Sequence, residues 1–148
     1  MKEGKIVFSN DNSFIFSTVL SIRVYDLNYG AHLGNDSFVS LVHEARAQFF
    51  HKYGWTEANI DNTNIGVIMK NLVVIYKSQG RFSDKIKIDI SVKNLKSRQF
   101  EMLYLLTKVK SNEELGRCMT KFLFFDYREN KIAKMPKIFK ELIKAKED

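Results

Sequence analysis

The sequence predicts an α+β domain in which one long helix packs on an antiparallel sheet of about five strands. Three observations carry this. Residues 16–25 alternate with period two, residues 36–53 repeat apolar side chains every three or four positions, and four strand-like runs follow between residues 65 and 127. The chain has 148 residues, 45% of them hydrophobic, so it can bury a core as one domain over residues 1–148 without disulfides or metals.

In residues 16–25, Phe16, Thr18, Leu20, Ile22 and Val24 share one side of the first strand. Asp26 to Asn35 (DLNYGAHLGN) then carries two glycines and no apolar periodicity, so the chain bends. From Asp36 to Tyr53 the apolar positions are Phe38, Leu41, Val42, Ala45 and Phe49; Asn35 or Asp36 is the expected N-cap and Gly54 the stop. The four runs are 65–77, 85–95, 100–110 and 117–127, and the breaks between them are short enough for antiparallel neighbours. After Pro136 a short amphipathic helix alternates Ile138, Phe139, Leu142 and Ile143 with Lys137, Lys140, Lys144 and Lys146. One helix cannot cover both faces of such a sheet, so a homodimer or homotetramer is expected.

The formal charge of +7 is uneven. Residues 1–64 hold five basic and seven acidic groups, whereas 65–148 hold nineteen and ten. An anionic partner follows from that field, although a solvated basic face would read the same way. The aromatics sit mainly in alternating strands and no nucleic-acid motif is present, so no nucleic-acid partner is expected. A single cysteine, Cys118, excludes an internal disulfide and any CxxC zinc or redox motif; no metal and no cofactor is expected. No run approaches the roughly 18 apolar residues of a membrane span, and residues 1–10 lack a signal-peptide core. A cytoplasmic protein is the expectation.

A strand, then DLNYGAHLGND, then a helix containing His43-Glu44-Ala45-Arg46 resembles the hotdog-fold acyl-CoA thioesterases of the 4-hydroxybenzoyl-CoA thioesterase type. Their pattern is D-x-D-x-x-G-H-V-N-N followed by E-A-R. Asp26 stands at the first acidic position, Asn28 at the second, His32 at the histidine and Asn35 at the last asparagine. The order of Tyr76, Asp84, the basic hairpin and the Lys-rich turn into Pro136 fits as well. The resemblance implies a hotdog fold, a long central helix wrapped by a curved sheet with a short C-terminal helix. It also implies hydrolysis of an acyl or aryl thioester of CoA at a site between subunits. Where those enzymes carry a catalytic carboxylate, this chain has Asn28, and an amide is neither nucleophile nor base. The D-x-N arrangement with a nearby histidine is similar to plant-type acyl-ACP thioesterases. An acyl-ACP substrate, or a hotdog protein that binds acyl-CoA or acyl-ACP without hydrolysis, is therefore the alternative.

Thioester hydrolysis needs a polarised carbonyl and an activated water. Amides at a helix start can meet a developing oxyanion, which makes those of His32, Leu33 and Gly34 the candidates; the glycines equally suit a plain tight turn. For the water, His32 comes first because imidazole titrates nearest neutrality, at about 6.5 in free form, followed by Asp26 and then Glu44. Asn28 would orient the water or the carbonyl. His32 could instead cap the turn, and Glu44 could be a surface residue paired with Arg46. Lys93, Lys96 and Arg98 cluster near one hairpin and, by the resemblance, would meet CoA phosphates.

Overall fold

The computed structural model describes residues 6–7 and 13–147. Strand β1 (Phe16–Ser21) leads through a 3-10 turn (Val24–Asp26) into helix α1 (Asn35–Lys52). Then come β2 (Ile65–Tyr76), β3 (Lys85–Lys93), β4 (Gln99–Lys108), β5 (Glu114–Asp126), the two-residue β6 (Lys131–Ile132) and helix α2 (Lys137–Glu147). The sheet is antiparallel in the order β1-β3-β4-β5-β2, with β6 paired to Phe125 and Asp126 of β5. β1 and β2 are thus the outer strands, each paired on one side. Among the described residues, no helix is long and apolar enough to cross a membrane.

The alternation read in the sequence selects the inner face. Ile86, Ile88, Ile90 and Val92 of β3, Phe100, Met102, Tyr104 and Leu106 of β4, and Cys118, Phe122 and Phe124 of β5 form one buried cluster with Phe38, Leu41, Val42, Ala45 and Phe49 of α1. Phe139 and Ile143 of α2 join it, with the Phe139 ring 5.0 Å from that of Phe100. α1 runs obliquely across this face. Its start lies at the end of β2, where Tyr76 Oη donates to Asn35 O at 3.1 Å, and its end lies at β1, where the Phe49 and Phe16 rings are 5.9 Å apart.

Three local expectations need correction. β1 stops at Ser21, because Ile22 N turns to donate to Asp84 O at 2.9 Å; Val24, expected to continue the strand on the side of Phe16 and Leu20, is 67% exposed in the 3-10 turn. The N-cap is Gly34, in an extended conformation, and neither Asn35 nor Asp36. The sheet gains the short β6 beyond the five strands expected. Gly54 does end α1, in the left-handed region at φ 72°.

A cation lies inside this core. Arg46 is 5% exposed, and its guanidinium meets Glu57 through Nε, donates from Nη1 to Tyr104 Oη at 3.3 Å and stacks 5.2 Å from the Phe122 ring centre. Tyr104 Oη in turn shares a hydrogen bond of 2.9 Å with Thr120 Oγ1, and burial pushes its phenol up to about 12, so it stays neutral. Glu57 also meets His43 Nε2 at 3.2 Å. Its segment lies against β2 only because residue 66 is glycine: Val67 N donates to Glu57 O at 2.7 Å, and a Cβ on Gly66 would come within 2.7 Å of backbone atoms of Glu57 and Ala58. Glu57→Ala leaves the guanidinium unpaired in the interior and should cost about 3 to 5 kcal/mol in urea unfolding; a loss below about 1 kcal/mol would show that the pair does not hold the core together.

Candidate active site

The bend after β1 is an organised loop. Asn28 Oδ1 accepts from Gly30 N at 2.9 Å and from His32 N at 3.2 Å, while Asn28 N donates to His32 O at 2.7 Å. Leu27 and Leu33 pair across its base. The Asn28 side-chain oxygen therefore shapes the loop, and His32 stands half-exposed on it.

Asp26 is held differently. It is 3% exposed, Oδ2 accepts from Arg23 N at 2.8 Å and Arg23 Nε at 3.2 Å, and Oδ1 accepts from Arg23 Nη2 at 3.1 Å. Burial pushes the Asp26 carboxyl up, but the hydrogen bonds and charge of Arg23 outweigh it and hold the group below the ordinary carboxylate value. Both oxygens are thus engaged by Arg23 and the basicity of the carboxylate is lowered.

The amides of Leu33 and Gly34, expected to face an oxyanion, are engaged as well. Leu33 N donates to Gly80 O at 2.8 Å and Gly34 N to Asp26 O at 2.9 Å. The unpaired donors lie one to three residues further on: the N–H groups of Asn35, Asp36 and Ser37, the first turn of α1, have no acceptor among the described residues. They follow His32 closely in the chain.

Glu44 lies elsewhere. It is nine residues along α1 from Asn35, about 13.5 Å at the helical rise. It accepts from Gln48 Nε2 at 3.0 Å, and Gln48 Oε1 accepts from Thr18 Oγ1 at 2.6 Å, so this flank faces β1. Glu44 shares a cavity of about 540 Å³ with Arg23, Asp26 and Ser40, and it borders a second of about 470 Å³ with Phe50 and Trp55. Arg46 is not its partner, because Arg46 points into the core.

The three cations expected near CoA phosphates are also divided. Lys93 Nζ donates to Val7 O at 3.3 Å, Lys96 lines a cavity with α2, and Arg98 is exposed on the β3–β4 turn. All three lie at the end of β3 remote from the loop. Cys118 is buried and its thiol is pushed up to about 12, so it is not a nucleophile. Among the described residues, no cluster of three or more His, Cys, Asp or Glu could hold a metal ion.

Sequence reasoning overlooked Arg23 as the clamp on Asp26 and Glu57 as the partner of Arg46. The first could have been found: Arg23 and Asp26 are three apart at the start of a turn. The second depends on a long-range contact that leaves no local signal. A carboxylate held below its unfolded-state value stabilises the fold above that value and stops doing so as the pH falls through the folded-state one. Asp26→Asn should therefore destabilise by about 1 to 3 kcal/mol near neutral pH. The gap from wild type should close when unfolding is repeated below about pH 4, and a gap constant down to about pH 3 would contradict the clamp.

The comparisons with known proteins agree with this fold. Residues 22–143 match the thioesterase-like superfamily. No curated protein sequence matches the chain. Among solved structures it is similar to Slr0204, a 1,4-dihydroxy-2-naphthoyl-CoA thioesterase from Synechocystis, with a TM-score of 0.77 at 16% identity over 86% of this chain and 94% of that one. It is similar to SAV2348 from Staphylococcus aureus, solved in complex with CoA, with a TM-score of 0.81 at 10% identity over 95% and 88%. YbaW, a probable thioesterase from Escherichia coli, gives 0.74 at 18% identity over 89% and 98%. At these identities the structures speak for the fold alone. The family match spans most of the chain, which therefore belongs to the thioesterase-like superfamily and is a thioester hydrolase.

Proposed function

We propose that the chain hydrolyses the thioester of an acyl- or aryl-CoA at the start of α1, with a second copy of the chain closing the site. The observation that carries this is a helix start whose three N–H groups have no acceptor among the described residues, three to five positions after His32 in the chain. The thioester carbonyl oxygen lies against the N–H groups of Asn35, Asp36 and Ser37, where the helix dipole favours developing negative charge. His32 takes the proton of a water that attacks the carbonyl carbon; the C–S bond breaks, and the imidazolium returns the proton to the departing thiolate. Asn28 positions His32 through the loop hydrogen bonds. Glu44 is too far along the helix to act on the same carbonyl, and Asp26 is tied to Arg23.

The need for a second copy is supported by β2. Past Val67, whose N–H is met by Glu57 O, the outer edge of β2 has no strand partner among the described residues, next to exposed Ile68 (40%) and Met69 (39%), and its end adjoins the start of α1. Antiparallel pairing of two β2 edges forms a closed two-fold dimer with a wall of the partner beside each loop. That wall is where the acyl or aryl group is held. Of the cations expected at CoA, Lys96, which lines the cavity beside α2, is the one assigned here to its phosphates.

His32→Ala should lower kcat for acyl-CoA hydrolysis by about 10² to 10⁴. Asn28→Asp keeps acceptors for the Gly30 and His32 amides and sets a negative charge beside the imidazole, so the acidic limb of the rate profile should move to higher pH. Thiol release measured across a panel of acyl- and aryl-CoAs checks both. Full turnover in His32→Ala, or no turnover of any thioester by the wild type, would overturn the proposal.

A further inference from the structure

The outer face of the sheet carries a rung of side chains that the core does not use. Val73 of β2, Met119 of β5, Leu103 of β4 and Ser91 of β3 lie opposite one another in the ladders. They alternate with the inward Cys118, Met102, Tyr104 and Ile90, so they point away from α1. On a bare face such positions meet water, yet Leu103 and Ser91 are buried, and Ser91 Oγ has no hydrogen-bond partner among the described residues. Ile6, 8% exposed, lies over the rung with Val7 beside it. The segment is held from two sides: Arg117 Nη1 of β5 donates to Ile6 O at 3.1 Å, and Lys93 Nζ of β3 donates to Val7 O at 3.3 Å. Arg117 and Lys93 stand on the two rungs that flank the apolar one. A cavity of about 320 Å³ stays open between the segment and Val73, Leu103 and Met119, so the seat is only partly filled.

We propose that the segment of Ile6 and Val7 is a displaceable strap over a self-association surface, and that a second copy of the chain takes the rung when the strap leaves. The hold is slight, one buried apolar side chain and two hydrogen bonds above a gap that forfeits packing. Apolar surface also continues past the strap on the same face, through half-buried Leu123 and Phe125 to exposed Ile68 and Ile132. Ile68 stands at the outer edge of β2, so in a dimer paired along β2 the two patches run together across the two-fold axis. This continuity rests on the β2 pairing proposed above; the strap and its seat lie within one chain and do not. Charge selects a copy over another partner. The face carries both signs, Lys93, Arg117 and Lys121 against Asp89 and Glu101, so a copy turned end for end can set cations against carboxylates, whereas a partner of one sign leaves half of them unmatched.

The test is the molar mass of the whole protein by light scattering at micromolar concentration. Ile6→Asp puts a charge where the strap is buried and should double the mass relative to wild type, with the far-UV circular dichroism unchanged. Ile6→Ala, which only removes the anchor, should give the same doubling at higher protein concentration. Val7→Asp, at a position 60% exposed, should keep the wild-type mass. Adding Met119→Lys to Ile6→Asp sets a cation in the middle of the uncovered rung and should return the mass to the wild-type value. A synthetic peptide of residues 1–12 should do the same to Ile6→Asp alone by refilling the seat, and that peptide carrying Ile6→Asp should not. An unchanged mass in both Ile6 variants would overturn the proposal, as would equal doubling in Val7→Asp, aggregates of no defined size, or a doubled mass that the peptide does not reverse. A wild-type monomer that becomes a dimer would uphold the strap and reject the β2 pairing. A wild-type dimer that stays a dimer in Ile6→Asp would do the reverse.

Discussion

A guanidinium in a hydrocarbon interior must be met by acceptors or it disrupts what surrounds it, and Arg46 sets this condition for the whole structure. Glu57 and Tyr104 meet it, Phe122 lies beneath it, and Thr120 steadies the phenol. Those partners come from the segment after α1 and from two central strands. Pinning Arg46 to the sheet fixes the rotation of α1 about its axis. Glu44, two residues earlier and so about 200° around the helix, is thereby directed away from the core and toward the flank beside β1.

The same rotation and the oblique crossing decide where chemistry can occur. The start of α1 comes to the end of β2, and the chain reaches it through a loop whose polar groups mostly answer one another. Asp26 answers Arg23 and Gly34, Asn28 answers Gly30 and His32, and Leu33 answers Gly80. What remains unanswered among the described residues is the first turn of α1 and the imidazole of His32. A site is recognisable here because a few donors have no partner in a segment where nearly every neighbour has one.

Much of this was legible in the sequence. The isoleucines of β3 and the five apolar positions of α1 announce their faces by period alone, and Gly54 marks the helix end because only a left-handed residue closes it there. The loop was legible as a loop, and its resemblance to the thioesterase pattern pointed to the family. The roles of its residues were not. Asp26 and Asn28 are both polar residues in a Gly-containing bend; which one is locked by a neighbouring arginine and which one caps the turn depends on where Arg23 points after β1 ends. Arg46 reads as a surface arginine beside Glu44, because its true acceptors are 11 and 58 residues away along the chain. The split of Lys93 from Lys96 has a similar origin. Their proximity in sequence hides the strand pleat and the turn that send one to the outer face and the other toward α2.

The most direct test of the central claim, that the thioester carbonyl lies at the start of α1, is amide NMR with an acyl-CoA analogue in which a methylene replaces the sulfur. Such an analogue keeps the carbonyl and cannot be hydrolysed. The account predicts the largest shift changes at His32, Asn35, Asp36 and Ser37, and their loss when the carbonyl is reduced to a methylene. Changes confined to the flank of Glu44, Gln48 and Trp55, with the helix start unmoved, would contradict it.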